Sequence, residues 1–295
     1  MSHEMVAYFR IINQLNLQNL RENKKKIEVQ KQELYIIKIG GNVIDHPEKL
    51  EAFLKDFSEI QKPKILVHGG GKLATKLAEK LEIPQEFFEG RRITNEETRD
   101  VAVMVYAGLI NKNIVATLQK NGLNSIGFSG ADANLIPAHK RPVKTIDFGW
   151  VGDVETDKIN AQFLEKVISE DICPVFCAIT HDGNGNLLNT NADTIASSIA
   201  VALSSYFEVN LAYCFEKNGV LENVEDENSV IAKIIPETYI QLKEKNIVND
   251  GMIPKIDNAF AAIEKGVKSV FILKETFLKK LINENNRTSG TEITQ

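Results

Sequence analysis

The chain has 295 residues, of which 43% are hydrophobic and 25% charged, with a net charge of -5 and a pI near 5.7. This is globular composition, enough for one large or two modest domains. The acidic balance, with Lys and Arg dispersed apart from Lys24-Lys25-Lys26, excludes a general attraction to nucleic acid.

Residues 1–32 are rich in Asn, Gln, Lys and Glu, with Phe9, Ile12, Leu15 and Leu20 at roughly helical spacing. They read as a marginal amphipathic helix or, better, as a frayed leader. From Leu34 the pattern changes. Strand-like apolar runs at Tyr35 to Ile39, Lys64 to Val67, Ser125 to Phe128, Cys173 to Ile179, Val209 to Cys214 and Ser269 to Leu273 alternate with helix-like segments. Helices are predicted over Leu50 to Ile60, Lys72 to Leu81, Asn95 to Asn121, Asn160 to Glu170, Thr194 to Ser204 and Lys255 to Lys265. The alternation predicts an α/β protein, a three-layer αβα sandwich with a central, mainly parallel open sheet. The polar stretch from Ser129 to Asp157 reads as a β-hairpin excursion able to act as a lid.

Cys173, Cys177 and Cys214 form an odd set without CxxC spacing and read as reduced core thiols of a cytoplasmic protein. No apolar segment is expected to approach membrane-spanning length, and the N-terminus lacks a secretion signal, so no membrane partner is expected.

Two strand-like runs end abruptly in glycines, Ile36-Ile37-Lys38-Ile39-Gly40-Gly41-Asn42 and Ile65-Leu66-Val67-His68-Gly69-Gly70-Gly71. Backbone N–H groups at such ends are open to an anion because no Cβ blocks the approach. In an open parallel sheet, ligands bind beyond the carboxyl ends of the strands, where these loops fall. The second loop leads into a helix, whose dipole adds attraction for a phosphate. Neither loop is a P-loop or a full GxGxxG.

Lys38 lies next to the first cradle, where an ammonium offers a point charge to a transferring phosphoryl group; snorkelling to solvent is the plainer alternative. His68 reads as a buried imidazole bonded to backbone rather than a general base. Arg91-Arg92 is the best clamp for a substrate carboxylate, against a solvated surface pair. Asn189, Asn191 and Asp193 share one face if the segment is extended, though Asp193 also suits a helix cap and the asparagines an Asx turn. Lys255 follows Asn249-Asp250-Gly251-Met252-Ile253-Pro254 at a helix start, where its charge opposes the dipole and needs an anionic partner or a functional reason. No His/Cys/carboxylate cluster has metal-ligand spacing, so no protein metal site is expected and any magnesium would sit mainly on nucleotide phosphates.

Taken in order, KIGGN, HGGGK, GRRIT, NADTIA and NDGMIPK resemble the amino acid kinase family, and within it the acetylglutamate kinases of arginine biosynthesis. The resemblance runs from about Leu34 to Gly266. It implies transfer of the ATP γ-phosphoryl group to the side-chain carboxylate of N-acetyl-L-glutamate. The alternatives are N-succinyl-L-glutamate as substrate, another activity of the family, or a non-catalytic amino-acid sensor. By the same resemblance, Lys38 and Lys255 stabilise the transferring group, Asp193 holds both ammoniums, and Gly41 and Gly70 donate to phosphoryl oxygens. Gly70, Gly71, Arg92, Asn189 and Asn191 then form the acyl amino acid site. Nucleotide contacts fall to Lys38, Gly40, Gly41, Glu216, Lys217, Gly219, Asn249 and Lys255. It further implies ATP with Mg2+, a homodimer, an acyl-amino-acid-binding and dimerisation part over 33–206, and a nucleotide-binding part over 207–295. One turn departs from the pattern: where the family usually has Ser/Thr-Asp-Val-x-Gly, this chain has Phe215-Glu216-Lys217-Asn218-Gly219.

Overall fold

The computed structural model describes residues 31–248 and 252–295. Among the described residues, eight strands make the central sheet: β1 (Glu33–Ile39), β2 (Lys64–His68), β5 (Ser125–Phe128), β8 (Cys173–Phe176), β11 (Glu208–Phe215), β12 (Lys233–Ile234), β13 (Ser269–Lys274) and β14 (Thr291–Ile293). Their order is β12-β14-β13-β11-β1-β2-β8-β5, parallel throughout except for the antiparallel β13–β14 pair. The central strands are continuous apolar runs because both of their faces are covered, as crossover helices require. Leu34, Ile36, Ile37 and Ile39 on β1 and Ile65, Leu66 and Val67 on β2 have no exposed surface.

Three hairpins stand outside this sheet: β3 (Glu86–Phe88) with β4 (Arg91–Ile93), β6 (Ala138–Lys140) with β7 (Gly152–Val154), and β9 (Ile179–His181) with β10 (Leu187–Asn189). The predicted excursion between Ser129 and Asp157 is therefore a hairpin. The first two hairpins touch through Phe88 and Phe148, whose rings meet edge to face at 6.4 Å, and through the Thr94 N–H, which donates to Phe148 O at 2.9 Å.

The helices are α1 (Gly41–Ile44), α2 (Pro47–Ser58), α3 (Gly71–Lys80), α4 (Glu96–Lys120), α5 (Ala161–Ser169), α6 (Ala192–Leu203), α7 (Pro236–Glu244), α8 (Ile253–Glu264) and α9 (Leu278–Asn283). Helix α6 lies on β1, β2 and β11 with α5 and α8 beside it, while α2, α3, α4 and α9 form the second helical layer. The expected αβα sandwich is the architecture.

Two expectations need correction. The apolar run from Cys173 to Ile179 is not one strand: it breaks after Phe176, because Ile179 leaves the sheet to pair with Asn189 on β10. The expectation that no apolar segment approaches spanning length also fails, since α4 is long and apolar enough by length and composition to cross a bilayer. Here its apolar side is spent on the core, with Val101, Val105, Ile110, Ile114 and Leu118 buried. The predicted leader lies almost wholly in residues 1–30, outside the described residues.

All three cysteines are free and buried. Burial pushes the Cys173 and Cys177 thiols up to about 12, so they pack as small apolar groups.

Candidate active site

Lys38 is next to last on β1, opposite Val67 of β2 and Tyr213 of β11, so the three strands carry it to their shared carboxyl end. Its ammonium is an ion pair with the Asp193 carboxylate, Nζ to Oδ1 2.7 Å, and the lysine side chain is only 12% exposed. A pair this sheltered holds geometry better than a surface pair would.

Asp193 is free for that role because it does not cap α6. Asn191 is the cap: its Oδ1 accepts the Asp193 N–H at 2.7 Å. Of the two readings left open for this segment, the helix cap falls to Asn191 through an Asx turn and not to Asp193. Asp193 sits in the first turn, where its negative charge also suits the helix dipole.

Lys255 comes from α8, immediately after Pro254. Its Nζ lies 3.9 Å from the centroid of the Phe215 ring, and Lys38 Nζ lies 5.6 Å from the same centroid. The two ammoniums, more than two hundred residues apart in sequence, therefore flank one side chain. Burial holds the Lys255 pKa below the usual lysine range; Asp193 opposes that shift and Lys38 adds to it. Asp193 is the carboxylate whose field favours the charged Lys255, although its ion pair is with Lys38.

Two cavities meet at these groups. One, of about 650 Å3, is lined by Lys38, Gly40, Gly41, Asp193, Glu216, Lys217, Gly219 and Lys255, with Val220, Leu221, Val248 and Ile272 as an apolar wall. The other, of about 390 Å3, is lined by Gly70, Gly71, Arg91, Arg92, Tyr106, Arg141, Asn189 and Asn191. Lys38, Gly40, Gly41 and Asp193 belong to both. Among the described residues, every expected site residue lies on a cavity wall; Asn249 lies outside them.

In the second glycine loop, Gly70 is required by close contact. Gly70 adopts φ +154, and a Cβ there would come within 2.3 Å of Ile110 Cδ1 and 3.0 Å of the Tyr106 ring. Both neighbours belong to a π-helical segment of α4, Met104–Ile110, which bulges toward the loop. Behind the loop His68 is fully buried: its Nδ1 meets Gly69 O at 2.8 Å and its Nε2 meets Asn111 Nδ2 at 3.1 Å. Asn111 Nδ2 also donates to Val175 O at 3.0 Å, which ties the loop to β8. Burial pushes the His68 imidazole down to about 4. It is a neutral structural group, as expected from the sequence.

Arg92 bridges the hairpin and α3. Its Nη2 donates to Gly71 O and Thr75 Oγ1, each at 2.9 Å, its Nη1 donates to Gln85 Oε1, and its guanidinium lies 4.8 Å from the Phe87 ring centroid. Asn189 Nδ2 donates to Thr94 Oγ1 at 3.0 Å, which fixes its amide against the same hairpin. Arg91 is the more exposed member of the pair, and Lys217 forms a surface ion pair with Glu227 at 3.6 Å. Sequence reasoning missed Arg141 and Tyr106 on the second cavity. Arg141 is held by Asp153 across the β6–β7 hairpin, Nη2 to Oδ1 2.7 Å, a cross-strand pairing that the register alone reveals.

A glycine-lined anion cradle at the carboxyl ends of a parallel αβα sheet, with two lysines and a carboxylate between two cavities, is the layout of a small-molecule phosphotransferase. The sequence pattern of the amino acid kinase family matches residues 33–274, and the chain belongs to that family. It is 56% identical over 263 residues to an acetylglutamate kinase of Cytophaga hutchinsonii, covering 89% of this chain and 98% of that protein. It is 51% identical to an acetylglutamate kinase of Phocaeicola vulgatus, covering 88% of this chain and 98% of that one. In structure it resembles the carbamate kinase of Giardia lamblia bound to AMP-PNP, with a TM-score of 0.63 at 12% identity over 90% of this chain and 99% of the other, a likeness of fold.

Proposed function

We propose that this chain is an ATP-dependent acetylglutamate kinase of arginine biosynthesis, phosphorylating the side-chain carboxylate of N-acetyl-L-glutamate. The single observation that carries the reading is the convergence of Lys255 and of Lys38, which is paired with Asp193, on one ring at the junction of two cavities. The chain's 56% identity to a named acetylglutamate kinase supports the choice of acid.

ATP occupies the larger cavity, its base against Val220, Leu221 and Val248 and its phosphates toward Gly40, Gly41 and Lys255, with Glu216, Lys217 and Gly219 around the nucleotide. The acyl amino acid occupies the smaller one, its α-carboxylate facing Arg92 and Asn189, with Gly70, Gly71 and Asn191 completing the wall. The side-chain carboxylate, already ionised, attacks the γ-phosphorus; a new P–O bond forms, the bond to the β-phosphate oxygen breaks, and ADP leaves. No proton has to be moved, so the protein's work is to align two anions and cancel their repulsion. Lys38 and Lys255 do so from opposite sides, Asp193 keeps both ammoniums in register, and the Gly41 and Gly70 N–H groups receive phosphoryl oxygens.

Among the described residues no three His, Cys, Asp or Glu side chains gather as a metal cage. That donor set suits Mg2+ carried in on the nucleotide phosphates, where it neutralises their charge. On this reading residues 33–206 bind the acid and form a homodimer, residues 207–295 bind nucleotide, and the enzyme works in the cytoplasm.

Arg141 favours a second reading. It supplies a cation on the acid cavity beyond Arg92, suited to the extra carboxylate of an N-succinyl group. Trapping the acyl phosphate with hydroxylamine while offering N-acetylglutamate, N-succinylglutamate, glutamate and aspartate tests both. A product from the acetyl compound with ADP release is expected; ADP release independent of every acid would overturn the assignment.

A further inference from the structure

We infer that Phe215 is a positioning residue whose ring face seats the Lys38 and Lys255 ammoniums on either side of the transferring phosphoryl group. The inference rests on the kinase reading above and adds a residue to it.

Phe215 closes β11, the strand beside β1, at the level of Ile39 and Gly40. At this place the motif that the chain otherwise resembles carries Ser or Thr, which has no aromatic face. The ring lies 3.9 Å from Lys255 Nζ and 5.6 Å from Lys38 Nζ, both inside the range at which the negative face of an aromatic ring attracts a cation. Lys38 has a carboxylate at 2.7 Å, whereas no ion pair within 4 Å joins Lys255 to an acid among the described residues. The ring is thus an electron-rich surface in direct reach of Lys255, in a site where burial already works against its charge.

Phe215 is itself held. Its ring lies tilted against that of Tyr213, centroids 6.2 Å apart at an interplanar angle of 32°, and the Tyr213 hydroxyl donates to Asp193 O at 3.4 Å. The aromatic pair therefore runs from the base of α6, which carries Asp193, to the two cations that Asp193 serves. A long lysine side chain has several rotatable bonds, and seating its head before substrate arrives removes part of the ordering cost from the chemical step. A ring does this without a second fixed negative charge, which would repel the incoming phosphates.

The test keeps shape constant and changes only the ring's electrons. Phe215 is replaced, in the full chain, by phenylalanine bearing one, two and three ring fluorines, which drain the face stepwise, and by Phe215→Tyr and Phe215→Leu. The expected result is a graded fall in kcat reaching roughly tenfold, with the KM for the acid unchanged and tyrosine close to wild type. A structural filler would give the same kcat at every fluorination level, and that flat series overturns the inference. An activity-free readout accompanies it: with 13C at lysine Cε, ring current should move the Lys255 Hε resonances upfield in the wild type and not in Phe215→Leu. Ordinary lysine shifts in the wild type would overturn the contact whether or not the chain is active, while inactivity toward every acid would overturn the kinase reading alone.

Discussion

Replacing His68 with glutamine should remove much of the acid sensitivity of the fold. The imidazole is fully buried, and because the Asn111 amide can only donate to Nε2, the ring hydrogen sits on Nδ1, facing Gly69 O. A second proton on Nε2 would abolish that acceptor and bury an unpaired charge, which is why burial lowers the pKa from 6.5 to about 4. Below pH 6.5 the unfolded chain takes up this proton and the folded chain does not. The stabilisation is therefore complete above pH 6.5 and is lost as pH falls toward 4. At about 1.4 kcal/mol per pH unit, His68 alone removes about 2 kcal/mol between pH 6.5 and 5, and about 3 kcal/mol by pH 4. Glutamine keeps an acceptor toward Asn111 and a donor toward Gly69 but does not titrate. Urea unfolding of both proteins at pH 7, 6 and 5 should show the wild type losing about 2 kcal/mol more than His68→Gln, carboxylate effects being common to the two. Parallel losses would refute the argument.

Three more outcomes are expected. Lys38→Met and Lys255→Met should each lower kcat by about two to three orders of magnitude with an unchanged far-ultraviolet circular dichroism spectrum; near-normal turnover in either removes that lysine from the mechanism. Lys255→Met should also raise Tm at pH 7. Its folded pKa is depressed by burial, so the cost of the buried charge is present below the lowered value and fades as pH rises through it; a fall in Tm would contradict this. Gly70→Ala, with its Cβ 2.3 Å from Ile110 Cδ1 at φ +154, should cost about 2–4 kcal/mol in urea unfolding and raise the KM for the acid; a loss below about 1 kcal/mol would show that the π segment yields easily.

Much of this was legible because parallel strands write themselves as unbroken apolar runs. Five of the six expected strands and all six expected helices correspond to single elements with ends displaced by a few residues, while the run from Cys173 to Ile179 divides between β8 and β9. Besides the nine-residue α7, what escaped was mostly short or depended on partners: β12 has two residues, and β14 pairs antiparallel to β13 only because the chain turns back after α9. The glycine loops, Lys38 and Arg92 could be read locally, since their meaning lies in what adjoins them in sequence. The part of Asp193 came only through the family resemblance and not from its own segment, because the Asn191 cap that leaves it to pair with Lys38 is a choice among three neighbouring polar side chains. Arg141 was illegible for a similar reason, since it reaches the site through its register against Asp153.

The partition between the two cavities is a single layer, made of Lys38, Gly40, Gly41 and Asp193, each with one side in either compartment. A synthetic molecule joining adenosine to a glutamate derivative through a short polyphosphate would lie across that threshold and engage both compartments for the association entropy of one. Its affinity should exceed that of either half by far more than their difference in size suggests, and should fall steeply when the tether is shortened by one phosphate, which makes tether length a ruler for the gap between nucleotide and acceptor.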